Sequence, residues 1–126
     1  MRVFKTRGFA RFARQQSIED TALARAIWQA EAGLIEAELG GGLIKLRIAR
    51  PGAGKRGGYR TLIAYQAGSR AVYLFGFAKN ERENIGQAQL DELKEFAAGF
   101  LRHSDAGFDD DVTEGRLQEI DYGEED

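Results

Sequence analysis

The sequence predicts an α+β domain with an N-terminal helical hairpin and a C-terminal helix packed on a small antiparallel sheet. Three observations lead there. Apolar residues recur at helical spacing near the N-terminus, strand-like alternating and aromatic runs fill the middle, and helical spacing returns over residues 85–102. A chain of 126 residues with 43% hydrophobic content suits one core.

Taken in order, Val3 to Lys5 reads as a short strand, and "GFARFARQQ" sets Phe9, Phe12 and Ala13 at helical spacing among arginines. Ser17 is placed to cap a second helix, with Asp20 three residues on, and Ala22, Leu23, Ala26, Ile27 and Ala30 carry an apolar face as far as Gly33. The two helical runs form the hairpin. "LGGG" at 39–42 suits neither a helix nor a strand and reads as a turn. Leu43 to Arg50 then alternates Ile44, Leu46 and Ile48 with Lys45 and Arg47, a strand with one buried and one cationic face. Tyr59–Gln66 and Ala71–Ala78, joined by "AGSR", read as an antiparallel hairpin. The last helix runs through Leu90, Leu93, Phe96, Ala97, Phe100 and Leu101.

Charge divides the chain after Ser104. Residues 1–104 carry 17 Lys and Arg against 10 Asp and Glu, whereas residues 105–126 carry one against ten. This predicts a basic domain over 1–104 and an acidic C-terminal tail over 105–126, the former suited to a polyanionic partner. Leu117, Ile120 and Tyr122 interrupt the acidic run, so "RLQEIDY" is expected to dock as a short extended segment at a sheet edge or near the basic face. Near that face its carboxylates would compete with a bound phosphate. The absence of cysteine and the single histidine, His103, exclude thiolate metal sites, disulfides, cysteine nucleophiles and a histidine pair, and no cofactor is expected. With no apolar run that suggests a signal peptide or membrane span, the expectation is a soluble cytoplasmic protein.

Between two of the strands lies "RPGAGKRGGYR", residues 50–60, which groups Arg50, Lys55, Arg56 and Arg60 with four glycines and the only proline. A nucleotide-binding loop is one reading. "GAGKRG" has the G-x-G-x-x-G spacing but runs into a strand instead of opening a helix, and the flanks of Lys55, Ala49 and Arg56, do not fit a Walker A loop. A kinase-type glycine loop lacks its companion motifs in so short a chain. A surface that follows a nucleic-acid backbone is the reading that remains.

The ordered blocks "LGGGLIKLRIARPGAGKRGGYRTLIAY", "YLFGFAKNERENI" and "LDELKEFAAGFL" resemble the RelE/ParE superfamily of type II toxin-antitoxin toxins, in particular its HigB-like branch, over roughly residues 2–102. The resemblance implies a small RelE-like α+β fold and a cognate antitoxin partner. For RelE-like members it also implies cleavage of mRNA on the ribosome, with no membrane or small-molecule cofactor involved. Attack of a 2′-hydroxyl on the neighbouring phosphate needs a base, a cation for the phosphorane and a donor for the leaving oxygen. RelE-like members supply these from Lys and Arg. The matching positions are Arg60 in "GGYR", Lys45 and Arg47 on the preceding strand, and Lys79 and Arg82 in "AKNER".

Arg60 is the first choice for the charge-stabilising cation, because guanidinium holds phosphate bidentately, and Lys45 or Lys79 for the base. Arg82 completes the catalytic set. Arg47, Arg50, Lys55, Arg56 and Tyr59 are assigned to RNA binding. The family's C-terminal stacking tyrosine has no clear counterpart, although Tyr59, Tyr65 and Tyr73 are available. Trp28 is read as packing, and His103 as a charge at a helix end. Alternatives within the superfamily are a ParE-like inhibitor of gyrase and a catalytically silent binding relative, and shared fold does not separate them.

Overall fold

The computed structural model describes residues 1–50, 54–78 and 85–123. The elements are β1 (Arg2–Thr6), α1 (Arg7–Gln16), α2 (Asp20–Glu31), β2 (Ala37–Gly40), β3 (Leu43–Arg50), β4 (Gly54–Gln66), β5 (Arg70–Ala78), α3 (Gln87–Leu101), α4 (Asp105–Thr113) and β6 (Leu117–Ile120). The six strands form one sheet in the order β2-β3-β4-β5-β1-β6. It is mixed, not purely antiparallel, because β1 lies parallel to β5. Two helices and three strands separate β1 from β5 in the chain, which is ample length for the crossover that a parallel pair requires.

Alternation along the strands gives the sheet two buried faces. Val3, Ile44, Leu46, Ile63 and Tyr73 turn to the side covered by α1 and α2. Phe4, Leu43, Leu62, Ala64 and Val72 turn to the side covered by α3 and α4. The helices therefore sandwich the sheet, and the central strands carry the near-continuous apolar runs "TLIA" and "AVYLF" that two-sided burial demands. Each fully buried Leu, Ile or Phe side chain contributes about 1.5–3 kcal/mol relative to exposure.

Local chemistry explains where the elements differ from sequence expectation. Thr6 caps α1 by accepting from the Phe9 N–H at 3.2 Å. Ser17 closes α1 instead of opening α2: its φ of 56° is left-handed, and its N–H turns back to the Ala13 and Arg14 carbonyls. α2 starts from Glu19 without a side-chain cap. The "LGGG" block is partly strand, since Leu39 and Gly40 belong to β2. Gly40, Gly41 and Gly42, at φ of 91°, 64° and 82°, then reverse the chain into β3. β4 begins at Gly54, five residues before the predicted start, so most of the supposed basic loop is strand.

The acidic C-terminal segment is built into the fold. Ser104 caps α4 by accepting from the Gly107 N–H at 3.0 Å. Phe108 stacks on Phe4 with ring centroids 4.4 Å apart. β6 pairs antiparallel with β1, Val3 facing Ile120, and buries Leu117 and Ile120. Two strands, β5 and β1, lie between β6 and β4, a separation of about 14 Å at the usual strand spacing. Among the described residues, Asp105, Asp109 and Glu119 of this segment pair with Arg2 and not with Arg60. No helix among the described residues is long and apolar enough to cross a membrane.

Candidate functional site

The β3–β4 register sets Lys45 opposite Leu62 and Arg47 opposite Arg60. Directly opposed residues face the same side of a sheet, so Lys45, Arg47 and Arg60 form one cationic row. Two arginines facing each other repel, and the fold places a carboxylate between them. Glu36 precedes β2 and donates its backbone N–H to the Lys45 carbonyl at 3.1 Å, which fixes it beside β3. Its Oε1 accepts from Arg47 Nε at 2.8 Å and lies 3.3 Å from Arg60 Nε. Glu36 Oε2 is buried with no hydrogen-bond partner among the described residues.

The two arginines are not equivalent. The Arg60 side chain is 5% exposed, whereas that of Arg47 is 44% exposed and free to meet a ligand. Arg47 also lines two adjoining hollows between α2 and β3, of about 410 and 300 Å³, which share Ala26 and Gln29. Lys45 is half-buried in the row, whereas Arg50, exposed at the end of β3 beyond the register shift, turns to the Tyr59 side.

Close packing explains the glycine before Tyr59. The β3–β4 register shifts between Ile48 and Arg50, and a Cβ at Gly58 would lie 2.2 Å from the Ile48 carbonyl oxygen. Gly58 thus lets the two backbones meet and aligns Arg60 with Arg47, instead of cradling a phosphate. Tyr59 consequently points to the opposite face, and its assignment to RNA binding is corrected. Its ring is 3% exposed, packs edge-on against Phe12, and donates its hydroxyl to Gln16 at 3.1 Å. A buried ring offers no face to a base. The Arg50 guanidinium sits 5.8 Å from the Tyr59 ring centroid.

The remaining tyrosines are engaged as well. Tyr65 donates to Glu31, and burial together with that bond pushes its hydroxyl above the ordinary phenolic range. Tyr73 is buried and donates to the Leu23 carbonyl at 2.7 Å. Trp28 packs against Tyr122 with centroids 5.7 Å apart. His103 lies beyond the end of α3, 2.7 Å from Asp111 through Nε2. Lys79 and Arg82, and the side chains of Lys55 and Arg56, fall outside the described residues. The residue missed from sequence is Glu36. A signal was present: if "LGGG" is a hairpin turn, folding it back lays Glu36 beside Lys45 and Leu46.

A protein-family model described as the RelE toxin of the RelE/RelB toxin-antitoxin system matches residues 1–120. The chain belongs to the RelE toxin family. It is thus a toxin of a toxin-antitoxin system with an antitoxin partner. The family match extends through β6, so the RelE unit takes in the strand at the acidic edge. Comparison with curated proteins finds no match.

Proposed function

We propose that this RelE-family toxin is a ribosome-dependent mRNA endoribonuclease of the HigB-like branch, acting in the cytoplasm until its cognate antitoxin occupies it. The observation that carries this reading is the row of Lys45, Arg47 and Arg60 gathered around one carboxylate. A surface built only to bind protein has no need to concentrate phosphate ligands. Glu36 holds the place of an anion. A phosphate that accepts from Arg47 replaces the Glu36 Oε1 contact with one of the same kind and greater charge, while Glu36 keeps Arg60.

Arg47, the exposed member, makes first contact with the scissile phosphate. Arg60, buried beneath, supplies fixed positive charge where the phosphorane develops, in surroundings that screen it weakly. Lys45, in the same row, is the candidate base. Lys79 and Arg82, close in sequence to the end of β5, remain proposed for the same site, with Lys55 and Arg56 along the RNA. The chemistry this residue set supports runs through Lys and Arg alone.

The test uses ribosomes programmed with mRNA at fixed magnesium. EDTA-treated protein is expected to cleave, leaving 2′,3′-cyclic phosphate ends, and to act weakly on free RNA. Arg47→Ala is expected to slow cleavage roughly a hundredfold, the usual scale for losing one transition-state donor. Undiminished cleavage by that variant removes Arg47 from the site. Intact mRNA with impaired gyrase supercoiling establishes the ParE-like alternative.

A further inference from the structure

The structure assigns a second phosphate-binding surface to the outer face of α1, formed by Arg7, Arg11 and Arg14, and we infer that it lies along an RNA backbone. α1 reads "RGFARFARQQ", and its buried side is Phe9, Ala10 and Ala13. Arg7, Arg11 and Arg14 are all exposed. At 3.6 residues per turn their spacing of four and three puts them within about 60° of arc on the side away from the sheet, and their Cα atoms span about 10 Å of axis. That length suits a few consecutive phosphates.

The three arginines of the stripe have no internal ion pair among the described residues, a trait shared by Arg25 and Arg102, but they stand in a row on one helix. Several other arginines are tied into the fold: Arg2 to three carboxylates, Arg60 to Glu36, Arg70 to the Phe100 and His103 carbonyls, and Arg116 to Asp111. The first turn of α1 contains no acidic residue. Like charges at i, i+4 destabilise a helix, so this arrangement carries a folding cost without an internal return.

The occupant is a polyanion, and its chemistry can be narrowed. Protein interfaces centre on buried aromatic or aliphatic anchors. The exposed neighbours of the stripe are Gly8 and Gln15, which provide none. A phosphate backbone needs no apolar anchor and answers a regular row of guanidiniums. The surface lies on the α1–α2 side of the sheet, across from the Lys45–Arg47–Arg60 row, and is therefore a separate contact that Arg50 extends. Gln16, at the end of α1, accepts from Tyr59, and the Arg50 guanidinium lies against the Tyr59 ring. The choice of RNA over another polyanion rests on the reading of the chain as an RNA-directed toxin.

The experiment measures binding of the full chain to a fluorescein-labelled RNA hairpin across a salt series, without reading cleavage. Replacing the three residues together, Arg7→Gln, Arg11→Gln and Arg14→Gln, is expected to leave the thermal midpoint nearly unchanged and to weaken binding. The slope of log affinity against log salt should fall by about 2, since each phosphate contact contributes roughly 0.7–0.9. The corresponding triple change to Lys should retain most of the slope. An unchanged slope in the Gln variant overturns the surface while leaving the cleavage reading intact. If the wild-type slope is lost as expected but the ribosomal assay shows no cleavage, the surface stands and the cleavage reading fails. Displacement of the hairpin by polyglutamate as readily as by unlabelled RNA overturns the RNA assignment in favour of an acidic protein.

Discussion

The two sides of the sheet manage charge in opposite ways. Toward the β6 edge one arginine serves three carboxylates: Arg2 lies 3.4, 2.8 and 2.9 Å from Asp105, Asp109 and Glu119. Toward the β2 edge one carboxylate serves two arginines, with Glu36 between Arg47 and Arg60. Both clusters link distant parts of the chain and both border a hollow, yet only the second holds more guanidinium than carboxylate, with the Arg47 side chain 44% exposed against 28% for Arg2. An excess of acid around Arg2 closes the acidic segment onto β1. An excess of base around Glu36 leaves a positive charge to be answered by something else.

The strongest challenge to this contrast is at Arg60. Arg60→Met leaves the largely buried Glu36 with Arg47 as its one remaining cation among the described residues and is expected to cost about 2–3 kcal/mol, measured by urea unfolding, less than the full cost of an unpaired buried charge. Adding Glu36→Met should recover a large part of that loss, because replacing a buried pair by apolar side chains is often neutral. If the double variant is no more stable than the single one, the energetic role of Arg60 does not run through Glu36. Cleavage should stay low in both, since neither restores the cation.

How much of this was legible in the sequence follows from the range of the interactions. β1, α1, β3 and α3 were readable because apolar spacing is local, and Leu43 to Arg50 showed its cationic side directly. Ser17 misled because its spacing to Asp20 imitates a capping box, whereas the need to stop α1 sharply drew it into the left-handed region. The mixed sheet was hidden because the β1–β5 pairing joins residues about seventy positions apart. Burial of Arg60 and Tyr59 on opposite faces depends on the register fixed at Gly58, which spacing alone does not give. β6 was partly visible through Leu117 and Ile120, but its place beside β1, and hence the engagement of its acids by Arg2, is a property of the fold.

A smaller effect tests the Arg2 side. Burial opposes the charge on Arg2, but the Glu119 hydrogen bond is the larger influence and raises its pKa. Its guanidinium also lies 5.0 Å from the Phe4 ring centroid. Because the partner carboxylates are mostly exposed, Arg2→Ala is expected to cost only about 1–2 kcal/mol. The loss should shrink in 1 M salt, where the screening length is about 3 Å. A salt-independent loss would assign the contribution to packing on Phe4 and weaken the electrostatic contrast.

The smallest expected effect lies at Asp111, which asks whether the acidic segment is satisfied beyond Arg2. Burial pushes the Asp111 carboxyl up, but hydrogen bonds from Arg116 at 2.6 Å and with His103 at 2.7 Å outweigh it, so its pKa falls below the ordinary aspartate range. A carboxyl depressed in the folded state contributes stability that is present above its unfolded pKa of about 3.9 and disappears as pH falls through the lower folded value. Asp111→Asn removes the charge at every pH. It should therefore be less stable than the wild type at pH 6, by about 1 kcal/mol, since Asp111 is largely covered but its partner Arg116 is exposed and screened by solvent. The two should converge as the pH drops below about 4, because the wild-type carboxyl is then losing its charge as well. Urea midpoints at pH 6, 4.5 and 3 read this directly. A gap that stays constant over that range would mean that Asp111 acts through the acceptor pattern its carboxyl offers Arg116 and His103 and not through its charge, leaving the acidic edge held electrostatically by Arg2 alone.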